Sequence, residues 1–153
     1  MALLVGVVLA FAVGLLARVC DLDRDRALYP TVMIVIASYY ALFAVLGAST
    51  WTLVLESLVG MAFLAVAVSG FKFSLWVVVV ALAVHGVFDL VHGMAISNPG
   101  VPDWWPQFCL TYDVTAAAYL AWLLGTGRIR AAAERRGQGV GPRVTARGHA
   151  WRR

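Results

Sequence analysis

The chain has 153 residues, 62% of them apolar, a mean hydropathy of +0.85 and a net charge of +4. Soluble domains average about 45 to 50% apolar residues, so the composition excludes an ordinary soluble fold and points to an integral membrane protein. Eight of the twelve Lys and Arg lie beyond Gly127, outside the apolar body, which assigns the positive charge to a membrane-surface or topological role and not to nucleic-acid binding.

Residues 2–17 form a continuous apolar run ended by Arg18, which predicts a first helix long enough to span with some tilt. A cleaved signal peptide is not expected, because the start carries no Lys or Arg and no A-x-A site follows. Asp21, Asp23 and Asp25 have the D-x-D-x-D spacing of a calcium loop but lack its Gly and distal Glu, so with Arg24 and Arg26 they read as a charge-balanced turn. Pro30 suits the first turn of a second helix over 29–46, since proline lacks only an N–H that would be unpaired there. Ser38, Tyr39 and Tyr40 are its mid-span polar residues, either packing groups or hydrogen-bonding partners for a polar site.

A third helix is expected over 51–71, with Glu56 as its single ionisable residue. A lone carboxylate in lipid is costly, so Glu56 must face protein or reach water at the interface. The fourth helix, 73–96, leads through a Pro- and Gly-rich connection at 97–103 into the fifth, 104–124. Trp51, Trp104 and Trp105 read as interfacial anchors. The chain therefore divides into a five-helix transmembrane domain, 1–127, and an Arg- and Gly-rich tail, 128–153, expected to be disordered and to lie against anionic lipid.

The fourth helix carries the densest chemistry. His85, Asp89 and His92 fall at i, i+4 and i+7, within an arc of about 60° on one helix face. Gly86 and Gly93, on an adjacent face, are expected to admit a neighbouring backbone. Cys109 and Asp113 sit at i and i+4 on the fifth helix. Arg18, Arg24, Arg26, Lys72 and the eight Arg of the tail fall on one side of a five-span chain and none of the twelve on the other, which predicts an N-terminus outside and a cytoplasmic C-terminus. At 1.5 Å rise per residue, Glu56 then lies about 7 Å from the outer end of its helix, His92 about 6 Å, Asp89 about 10 Å, His85 about 16 Å, Cys109 about 7 Å and Asp113 about 13 Å. Cys20 lies near the opposite face from Cys109, so no disulfide joins them.

Imidazoles and carboxylates converging from several helices form the ligand type used for Zn, Fe or Mn. The expected ligands of a divalent ion, Zn or Fe, are His85, Asp89, His92 and Asp113, with Cys109 as a softer candidate and Glu56 as a further ligand or general base. The same groups suit a metal-dependent membrane enzyme, a proton- or ion-coupled carrier, or a buried network that locks helices together. A homo-oligomer is the expected form of a carrier, because five short helices enclose little volume.

His85, Asp89 and His92, the turn with Asn98, Pro99 and Pro102, and then Cys109 and Asp113 resemble the pattern of a bacterial family of small multi-span membrane proteins catalogued as domain of unknown function 6010. Glu56 is similar to a glutamate upstream of that helix in the family, and the resemblance covers about 28–124, leaving out the Arg-rich tail. It implies a multi-pass fold in a bacterial inner membrane and supplies no reaction.

Overall fold

The computed structural model describes residues 1–22, 26–47 and 49–129. All but the first two residues of the expected tail, and Asp23, Arg24 and Asp25 of the expected charged turn, lie outside the described residues. Among the described residues five helices follow one another: α1 (Ala2–Val19), α2 (Leu28–Leu46), α3 (Thr50–Lys72), α4 (Leu75–Ala95) and α5 (Trp105–Gly125). Each is long and apolar enough to cross a membrane, and there is no strand among the described residues. Lipid offers backbone groups no hydrogen bonds, so continuous helices satisfy them internally. The large outward side chains, among them Leu4, Phe11, Leu15, Leu58, Val80 and Val87, are correspondingly apolar.

The helix ends lie within two residues of those expected, and local chemistry sets them. Ser49 caps α3 by accepting from the Thr52 N–H, and Pro106 lies in the first turn of α5, where its missing N–H costs nothing. Extended backbone at Ser74 delays the start of α4 to Leu75. Between α1 and α2, Asp21 takes a left-handed φ of 57°, which aspartate tolerates better than most residues.

Helix α4 lies against α5, α3 and α2, while α1 packs on α5 and α2 packs on α3. The buried seam of α4 runs Leu75, Val78, Leu82, His85, Asp89 and His92, alternating three- and four-residue steps. One half of the seam is thus apolar and the other ionisable. Against the apolar half pack Met33 of α2 and Leu120 and Leu123 of α5, all fully buried.

Small residues set the close approaches. Gly6, Ala10, Gly14 and Ala17 form the buried face of α1, and a Cβ on Gly6 would fall onto the Thr111 side chain and the Phe108 carbonyl. Thr111 Oγ1 there donates to the Leu3 carbonyl at 2.9 Å. A Cβ on Gly86 would meet Asp113 Cβ at 3.2 Å, so this glycine lets α5 bring Asp113 against α4. Gly93 does not act in the same way, since it faces open space at the exposed end of the helix. Trp51 and Trp104 are exposed as anchors would be, but Trp105 turns inward, with its ring 4.8 Å from Phe43 and 5.1 Å from Tyr39.

Candidate functional site

The ionisable half of the α4 seam meets a different partner at each turn. His85 faces α5, where its Nδ1 lies 2.7 Å from Asp113 Oδ2 and 3.5 Å from Asp89 Oδ2 on its own helix. From α2, the Tyr40 hydroxyl donates to Asp89 Oδ1 at 2.7 Å. One ligand atom each from His85, Asp89 and Asp113 falls within 4.8 Å of the others, and all three residues are buried. Asp89 Oδ2 and Asp113 Oδ1 have no hydrogen-bond partner. Buried polar atoms are normally satisfied, so two open carboxylate oxygens beside one imidazole make a group that could hold a metal ion.

Two turns along α4, His92 faces α3. Its Nε2 lies 2.8 Å from Glu56 Oε1, and Asn98 Nδ2 donates to that same oxygen at 2.8 Å and to the Tyr40 carbonyl at 3.1 Å. The connection carrying Asn98 is fixed by two further bonds: the Gly100 N–H donates to Asn98 Oδ1 at 3.2 Å, and Thr52 Oγ1 donates to the Ser97 carbonyl at 3.1 Å. Tyr40 stands between the two groups, its ring centroid 4.1 Å from that of His92 and 6.3 Å from that of His85. Phe63 meets His85 edge-on at 4.7 Å and Phe88 meets His92 at 5.6 Å, closing the imidazoles off from lipid.

Five of the six residues singled out from the sequence therefore occupy two neighbouring groups. His85, Asp89 and Asp113 come together; His92 and Glu56 form a pair of their own; Cys109 is buried one turn before Asp113 and is not part of the three-residue group. The rise between His85 and His92 is about 10 Å along the axis, and His92 Nε2 is engaged by Glu56 Oε1 instead of the three-residue group. Tyr40 and Asn98 complete the arrangement. In the sequence Tyr40 stands among the mid-span polar residues of α2 as a packing group or hydrogen-bonding partner, whereas the bridging role of Asn98 depends on how residues 97–103 fold back and has no periodic signal.

Charge makes the site unusual. The buried acidic and basic side chains that carry charge near neutral pH are, among the described residues, three carboxylates and two imidazoles, with no Lys or Arg. Even with both imidazoles protonated, one negative charge is left over in an apolar surround. Such a surplus requires a proton on a carboxyl group or a bound cation. No family model, curated protein or solved structure matches the chain.

Proposed function

We propose that this is a multi-pass membrane protein holding a divalent metal ion, Zn or Fe, on His85, Asp89 and Asp113. The observation that carries this reading is the triad of buried ligand atoms within 4.8 Å of one another, with an oxygen of each aspartate left open. Carboxylate and imidazole together suit borderline first-row ions, and a divalent charge offsets the carboxylate surplus. A metal bound with a free position would polarise a substrate oxygen or activate water. In this reading Tyr40 orients Asp89 through Oδ1, and the Glu56–His92 pair across its ring serves as the proton acceptor of a metal-dependent membrane enzyme. Purified under reducing, chelator-free conditions, the protein is expected to retain stoichiometric metal; preparations that never do so overturn the proposal.

A second reading, a proton-coupled carrier, draws support from two polar series, Asn98, Glu56, His92 and Tyr40, Asp89, His85, Asp113, which meet where the Tyr40 ring lies 4.1 Å from that of His92. Proton flux in metal-free proteoliposomes would favour it. Membership of the family catalogued as domain of unknown function 6010, a bacterial inner membrane, anionic lipid at the tail and a homo-oligomer belong to the proposed picture.

The proposed orientation puts the site in the outer half of the bilayer, on the strength of the twelve-to-none division of Lys and Arg. A reporter active only in the cytoplasm is expected to work when fused after Arg153 and to fail when inserted within residues 97–103. The reverse pattern would invert the protein and place the site toward the cytoplasm.

A further inference from the structure

Glu56 has a side that the metal site does not use. Asn98 Nδ2 and His92 Nε2 both contact Oε1, each at 2.8 Å, while Oε2 is buried with no hydrogen-bond partner. The residue forms part of the wall of a 230 Å³ cleft between α2 and α3, which Ser38, Ser57, Gly60 and Met61 also line. Two larger clefts, of 360 and 490 Å³, have neither a carboxylate nor an imidazole in their walls.

The polar residues of the smaller cleft are Ser38, Ser57 and Glu56. Ser38 and Ser57 are exposed, although both helices are apolar enough to span a membrane, so the cleft carries two outward hydroxyls. The Ser38 hydroxyl donates to its own helix, at the Val35 carbonyl 2.6 Å away, and its outward lone pair remains an acceptor. Glu56 Oε2 is a second acceptor. The Ser57 hydroxyl can donate or accept, but Glu56 Oε2, the carboxylate oxygen of the cleft, has no donor and selects a ligand that brings one. Glu56 is only 1% exposed, so the head must be small and must insert between α2 and α3 to reach Oε2.

We propose that the α2/α3 cleft binds a membrane-soluble amphiphile whose head is a small O–H or N–H donor, a primary alcohol or a primary amine. The head bonds to Glu56 and Ser38, and the chain lies along Ile34, Met61 and Leu64. Donation to a buried carboxylate is a charge-assisted bond, stronger than a neutral one. An ammonium head would also offset the carboxylate surplus. A fatty acid brings a second negative charge, and a quaternary ammonium brings bulk without an N–H. The site is separate from His85, Asp89 and Asp113, and the inference does not rest on a metal being bound there.

The test uses the full chain in lipid nanodiscs with two photoreactive probes of equal chain length, one a primary alcohol and one a primary amine. At least one is expected to label the segments around Ile34 and Met61, with the better probe identifying the head. Unlabelled ligand of the same head is expected to compete, while the fatty acid, the trimethylammonium compound and the alkane of equal length are not. Glu56→Gln replaces the open acceptor with an amide N–H donor and is expected to lower labelling about tenfold, the scale of one charge-assisted bond. Ser57→Leu fills the cleft while keeping Glu56 and is expected to lower it similarly. Equal competition by every head, or labelling unchanged in both variants, would reduce the cleft to ordinary lipid contact and overturn the proposal. Metal measured in the same samples separates the two ideas: a metal-free wild type that labels with this selectivity supports the cleft and sinks only the metal site.

Discussion

Asp89→Asn is expected to abolish metal binding while leaving the protein folded. An amide is a far poorer ligand for a divalent ion than a carboxylate, and Asp89 supplies one of the two open oxygens of the triad. Loss of an outer-shell partner typically costs 10- to 100-fold in metal affinity, so removal of a direct ligand should exceed about 100-fold. The asparagine still accepts from Tyr40 through its own oxygen, and one of three buried carboxylates has been neutralised. Without metal, the variant should therefore melt no lower than the chelator-treated wild type. With metal, the wild type alone should gain stability, by mass action. His92→Ala is the control, because His92 lies with Glu56 and not with the triad, and its metal content should match wild type. Elemental analysis and melting curves with and without chelator read all of this. Undiminished metal in Asp89→Asn, or equal loss in His92→Ala, would contradict the assignment of ligands.

Gly100→Ala is expected to produce a second large effect, on stability. A Cβ at this position would collide with the Phe43 carbonyl oxygen and lie 2.9 Å from the Gly47 nitrogen, and backbone atoms at a helix end cannot swing aside as a side chain can. The connection must lift from the end of α2, carrying Asn98 away from the Tyr40 carbonyl and from Glu56. Overpacking of this kind costs about 1–3 kcal/mol. The melting temperature should fall, and hydrogen exchange should quicken at residues 97–103 before the rest of the bundle. Asn98→Ala isolates the polar part, since it removes the two bonds without the collision. Wild-type melting of Gly100→Ala would show that the connection does not seat against α2 as described.

The five spans were legible because a membrane allows an apolar run of this length few alternatives to a helix. The stripe of α4 was legible for the same reason that any helix face is, a fixed angle per residue. Partner choice was not. Depth along the axis put Glu56, His85, Asp89, His92, Cys109 and Asp113 at comparable levels, yet the order of helices around α4 sends His85 to α5 and His92 to α3. Spacing along one helix carries no information about which neighbour stands opposite each residue. Tyr40 shows the same limit: a tyrosine in an apolar helix reads equally well as packing or as a donor until its partner is known, and here the partner is Asp89. Gly86 and Gly93 share a face of α4, but only the first lies where α5 passes close.

The apolar half of the α4 seam has an electrical consequence. Val78, Leu82, Met33, Leu120 and Leu123, each fully buried, form a dry floor beneath the ionisable residues. Charge crosses a membrane against a voltage in proportion to the depth it traverses, and a charge that reaches His85 or Asp113 from one face without crossing this floor traverses only part of that voltage. A cargo passing from one face to the other would have to part these five side chains, whereas one that enters and leaves from the same face need not disturb them.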